Sequence, residues 1–167
     1  MEARKLIKMP KAITKAGEWK CGALNPKHKM GAKAFEFGAR KSFQLGNRWW
    51  WKVDVLELDG QPGRLLIAYH LEKENYLAWL ALDRGDAFVI LACLEFHATH
   101  PGWHYHSKCD EIHTFHAGVQ RQRNDGIRIP GKGCYHRDTR YEMGHQEAIN
   151  RAYRAFNVGT RKEGDLL

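Results

Sequence analysis

The sequence predicts an α+β fold in which an antiparallel β-meander of four to five strands is packed by a C-terminal helix and preceded by a loop-rich, basic N-terminal segment. Three observations predict it. Apolar and polar residues alternate with period two from Trp49, the strand-like runs are separated by short connections, and the C-terminal part carries an apolar stripe at helical spacing.

The first 47 residues are punctuated by Gly17, Gly22, Pro26, Gly31, Gly38 and Gly46, a spacing that leaves room for one short helix over 11–20 and none longer. Trp49, Trp51, Val53 and Val55 then alternate with Trp50, Lys52 and Asp54, as in a half-buried strand. Asp59-Gly60 supplies a turn, extended by Pro62-Gly63. Residues 64–71, 76–82 and 87–97 form the next three strands, the last two joined by Asp83-Arg84-Gly85-Asp86. Connections this short make the neighbours antiparallel, because a parallel return needs a crossover of about a dozen residues. After the turn His100-Pro101-Gly102, residues 103–106 form a fifth strand that doubles back on the fourth. Thr139-Arg140-Tyr141-Glu142 has the form of a capping box. It opens a helix over 139–158 with Ile149, Ala152, Tyr153 and Phe156 as its stripe and Gly159 as its cap.

A chain of 167 residues fits one domain, divided into a basic loop-rich segment (1–47), the meander (48–106), His/Arg-rich loops (107–138) and the helix (139–158). It has no apolar run near the roughly 20 residues that span a bilayer and no secretory h-region, so a cytoplasmic protein without a membrane partner is expected. Cys21, Cys93, Cys109 and Cys134 lack CxxC spacing and are expected to be thiols or ligands. The net charge of +8 is uneven: residues 1–52 hold 13 Lys/Arg against 3 Asp/Glu, while 53–116 hold 4 against 10. Basic residues interleaved with aromatic rings suit a phosphate backbone and unstacked bases, so RNA or another phosphate-bearing ligand is the expected partner. Lys27, Lys29, Arg48, Trp50, Lys52, Arg128 and Lys132 are its candidate contacts.

The densest chemistry lies between Phe96 and Ala117, where His97, His100, His104, His106, Cys109, His113 and His116 crowd together. His104 and His106 are one residue apart, so on a strand they share a face; the same parity unites Cys93, Glu95 and His97. Whether the two sets meet depends on register. If Glu95 lies opposite His104, then Cys93 lies opposite His106 and the five form one patch; a slip of one residue pairs His104 with Phe96 and separates them.

Three uses of the cluster follow. In the first it holds a divalent metal, zinc by the preference of imidazole and thiolate, with His97, His104, His106 and Cys109 as ligands and Glu95 or Asp110 as base or orienting group. In the second, two imidazoles act as general base and acid in cleaving RNA, with Arg121, Arg123, Lys132, Tyr135 or His136 stabilising phosphate charge. In the third the histidines are structural. His70 and His145 read that way, as hydrogen-bonded core residues, and His28 reads as solvated. The functional expectation is therefore a phosphodiester-directed hydrolase or nuclease acting on RNA or nucleotides, with or without zinc. The alternatives are a nucleic-acid or nucleotide binder with a structural metal, and a protein-interaction adaptor. Arg128-Ile129-Pro130-Gly131-Lys132-Gly133 is basic and glycine-bearing but lacks the GxxxxGK[ST] pattern, so no P-loop is expected.

Overall fold

Alternation through the tryptophan run becomes a long strand because every second side chain has a packed face to enter, and here both faces are packed. The computed structural model describes residues 3–22, 45–84, 88–97, 100–108, 126–129 and 138–159. Its elements are helix α1 (Ala3–Lys8), strands β1 (Lys11–Lys15), β2 (Lys20–Cys21), β3 (Trp50–Leu58), β4 (Gln61–His70), β5 (Asn75–Asp83), β6 (Phe88–His97), β7 (His100–Lys108) and β8 (Gly126–Ile129), helix α2 (His145–Phe156) and strand β9 (Val158–Gly159).

The fold is broadly α+β, with a C-terminal helix, but the meander is only part of a larger sheet. Strands run in the order β8-β7-β6-β5-β4-β3-β1-β9, with β2 also pairing β3. Neighbours from β3 to β8 are antiparallel, whereas β9 lies parallel to β1. The sheet is curled and mixed, in contrast to the expected four to five antiparallel strands.

One face carries Leu56, Leu58, Leu65, Ile67, Tyr76, Leu80 and Phe96, covered by Leu6 and Ile7 of α1 and by Ala148, Ala152 and Phe156 of α2. The opposite face carries Trp51, Leu66, Ala68, Trp79, Ile90 and Cys93, with Leu45 against it. Burial on both sides explains why β4 and β5 read as nearly continuous apolar runs.

Four local expectations are corrected. Residues 11–20 hold no helix: Lys11–Lys15 is a strand, with Ala12, Ile13 and Lys15 in register with β3 and an irregularity at the β-branched Thr14. Pro62 and Gly63 belong to β4, because Asp59 and Gly60, with φ of 52° and 74°, complete a two-residue turn by themselves. The Thr139 capping box does not form. Helix α2 starts after Gly144, and its end is capped by Asn157 in the left-handed conformation in place of Gly159, which has become β9. Finally, the segment expected to be loop after 106 contributes the end of β7 and all of β8.

A buried polar latch ties the N-terminal segment to sheet and helix. Asp54, fully buried on the helix-covered face of β3, receives Lys52 Nζ at 3.0 Å, the Gly17 amide at 2.8 Å and the Tyr153 hydroxyl at 3.0 Å. The backbone at Gly17 passes so close to β3 that a Cβ there would stand 2.1 Å from the Val53 carbonyl oxygen. Gly17→Ala is therefore expected to lower unfolding free energy by about 2 kcal/mol through forced displacement of this segment. Urea denaturation measures it, and an unchanged midpoint would contradict the close approach.

Candidate metal centre

Strands β6 and β7 are joined so tightly that His97 pairs with His100, and the register then shifts before Glu95 pairs with His104 and Cys93 with His106. This is the register in which the two histidine sets share a face. The extra residues are taken up near Gly102, whose φ of 103° is open to glycine and costly for other residues.

Glu95, His97 and His104 come together: one ligand atom from each, all within 4.8 Å of one another, is close enough to hold a metal ion. Glu95 and His104 are 3% and 2% exposed, and His97 is half-buried. His104 Nε2 stands 3.5 Å from Glu95 Oε2, and the His97 and His104 rings meet edge to face at 4.8 Å. Ligand atoms at about 2.0–2.2 Å from a tetrahedral ion are themselves about 3.4 Å apart, so the carboxylate and imidazole are spaced as two corners of one coordination shell.

The surroundings orient both groups. His104 Nδ1 lies 3.1 Å from the Gly102 carbonyl oxygen, which can only accept, so Nδ1 carries the proton and Nε2 is left to face Glu95. Trp79, fully buried on β5, donates its indole N–H to Glu95 Oε1 at 3.4 Å. One carboxylate oxygen thus faces the indole and the other the imidazoles. Sequence reasoning missed both supporting residues. The signal for Trp79 was an indole on a buried strand, which needs an acceptor; for Gly102 it was a glycine just before the first of the paired histidines.

His106, expected among the ligands, stands slightly apart. Its Nε2 is 3.9 Å from Glu95 Oε2, its ring centroid is 5.2 Å from that of His104, and it lies outside the group that fits one ion. Cys93 is buried opposite it. Cys109, Arg121 and Arg123 lie outside the described residues, as do Lys27, Lys29 and Lys132; Arg128 is placed only by its backbone in β8, opposite His106.

Of the remaining expected nucleic-acid contacts, Lys52 and Trp50 are packed within the fold and Arg48 stays on the surface in an exposed ion pair. Lys52 is 5% exposed and paired with Asp54, so its ammonium is not presented to an incoming phosphate. Arg48 is exposed and holds both oxygens of Glu72, at 2.9 and 2.7 Å. Trp50 packs on the helix-covered face, its ring against His145. His70 is a hydrogen-bonded core residue as expected, its Nδ1 accepting the Lys73 amide. His145 is hydrogen-bonded to the Tyr69 hydroxyl at 2.8 Å but exposed, stacked on Trp19 at the start of α2 rather than buried in the core. Among the described residues no helix is long and apolar enough to cross a membrane. No protein-family model matches the chain, and no curated protein or solved structure matches it either, so the reading of this centre rests on its own chemistry.

Proposed function

We propose that the protein is a zinc-dependent hydrolase of phosphodiesters in RNA or nucleotides, with Glu95, His97 and His104 as the three protein ligands and a fourth position left for water or substrate. One observation carries the metal: with Nδ1 held by Gly102, His104 presents Nε2 to Glu95 Oε2 at 3.5 Å. Two acceptors so placed repel unless a cation lies between them, either a proton or a metal ion. Two imidazoles and a carboxylate form a donor set that zinc accepts, and three protein ligands with an open position is the arrangement of zinc sites that work on substrates. Bound there, zinc would polarise a phosphoryl oxygen and make water a nucleophile near neutral pH. The net charge of +8 favours a polyanionic substrate.

Isothermal titration of untagged, metal-stripped protein with zinc tests the ion. One equivalent is expected to bind. His104→Ala and Glu95→Gln should weaken binding on the order of a hundredfold or more, and Gly102→Ala, which strains the positive-φ backbone that places both the orienting carbonyl and the β6–β7 register, about tenfold or more. Zinc uptake indifferent to all three substitutions would leave a shared proton as the cation and end the metal reading. Incubation of the zinc-loaded protein with labelled RNA and DNA then tests the reaction. Cleavage lost in His104→Ala supports the hydrolase; salt-sensitive binding without cleavage makes the metal structural and the protein a binder.

A further inference from the structure

Two cross-strand rows lie side by side on the face that carries the candidate ligands. In the first, Leu77, Glu95 and His104 are register partners across β5, β6 and β7; in the second, Trp79, Cys93, His106 and Arg128 are partners across β5 to β8. The first row supplies two ligands. The second begins with the indole that orients Glu95 and continues with an imidazole beside the centre but outside it.

Three features of His106 set its role apart. It touches the centre through the same oxygen that His104 faces, Glu95 Oε2, at 3.9 Å. Its side chain is 14% exposed, against 2% for His104 and 4% for Glu95, so its side of the centre is more open to solvent than theirs. And its partner in the next strand is an arginine, a permanently charged residue type with a planar fork of N–H donors.

The electrostatics of the centre select the kind of ligand. A divalent ion with one carboxylate and two neutral imidazoles keeps a net positive charge, and a neutral imidazole beside it offers an N–H rather than a competing charge. A tetrahedral oxyanion suits both: one oxygen directed at the ion, another at the neighbouring donors. Without the ion, the Glu95 carboxylate would repel the same anion.

We propose that the His106–Arg128 cross-strand pair is the oxyanion subsite of this centre, binding a phosphate group beside the ion. The subsite rests on the metal reading. Its ligand is the phosphate chemistry shared by free phosphate and by a phosphodiester, and two probes separate those sources.

Zinc-loaded protein is titrated with inorganic phosphate and with a diribonucleotide, in the unsubstituted chain, in His106→Gln and in Arg128→Gln. Both substitutions should weaken whichever probe binds by about tenfold, the scale of losing a charge-assisted hydrogen bond, while zinc affinity stays within about twofold. Metal-free protein should bind neither probe. Tighter binding of the diribonucleotide assigns the subsite to an ester in a polymer, and tighter binding of phosphate assigns it to the free anion. Anion affinity unchanged in either variant overturns the subsite and leaves the metal centre standing, and loss of zinc in His106→Gln overturns it by making His106 a ligand. A chain that takes up no zinc at all ends both readings, and is distinguished by the first titration.

Discussion

Replacing Asp54 with Ala should lower the unfolding free energy by about 3–5 kcal/mol, the expected loss when one member of a buried ion pair is removed and the other is left charged in the interior. Lys52 and Asp54 stand two residues apart on β3, so their side chains share the face that α2 covers. The carboxylate is satisfied from three directions by the Lys52 ammonium, the Gly17 amide and the Tyr153 hydroxyl, which come from the strand itself, the segment after β1, and α2. In the Ala variant all three donors lose their acceptor together, and Lys52, 5% exposed, has little route to water. The double replacement Lys52→Met with Asp54→Leu removes both charges, and should recover stability to within about 1 kcal/mol of the unsubstituted chain or exceed it. Urea denaturation of the three proteins decides the matter. A loss below about 1 kcal/mol in Asp54→Ala would mean that the latch is open in solution. The carboxylate also holds the Tyr153 hydroxyl, which burial together with the charge and hydrogen bond of Asp54 pushes above the ordinary tyrosine range.

The latch illustrates what the sequence conceals. Lys52 beside Trp50, in a segment rich in lysine, has the composition of a phosphate contact, yet it is buried because Asp54 two residues on has the same parity. Parity was legible; that α2 would cover this face at Lys52 as well as at the apolar positions was not. The meander itself was legible because each connection is short and each strand alternates or runs apolar, local signals that need no long-range information. The centre was legible only up to a choice. The parity of 93, 95 and 97 and of 104 and 106 is evident, but the register joining them depends on an irregularity of the β6–β7 pairing between Glu95 and His97, in the stretch of β7 where Gly102 takes a positive φ, and alternation along either strand does not reveal that shift. The N-terminal strands and β9 were missed for a different reason. The strands β2 and β9 are each two residues long, and β1 is five residues with three lysines or threonines, so none has the alternating run that marks a strand from sequence.

Lys11→Met should destabilise the fold by about 3 kcal/mol at neutral pH, because the Lys11 ammonium donates to carbonyls at the ends of both helices. Its Nζ donates to Ile7 O and Met9 O at 2.7 Å and to Phe156 O at 2.6 Å, while the residue itself is 2% exposed. A positive charge at two helix C-termini is also well placed with respect to the backbone dipoles. With Met at this position the carbonyls keep their desolvation cost and lose their donor; the relief of removing a buried charge offsets part of this. Burial lowers the ammonium from its ordinary value of 10.5 to about 8, which makes the contribution pH-dependent with a definite sign. Between these values the folded chain has released a proton that the unfolded chain still holds, so unfolding takes up a proton and rising pH opposes it. The stability advantage of the unsubstituted chain over Lys11→Met should therefore grow as pH rises from about 8 toward 10.5. Tyr76, Tyr105, Tyr141 and Tyr153, all pushed up by burial, act oppositely above pH 10, where the unfolded chain loses protons first, but they are common to both proteins and cancel in the difference. Urea midpoints at pH 7, 8, 9 and 10 measure the trend. A difference between the two proteins that stays flat across that interval, or a loss under about 1 kcal/mol at pH 7, would show that Lys11 does not join the two helix ends as described.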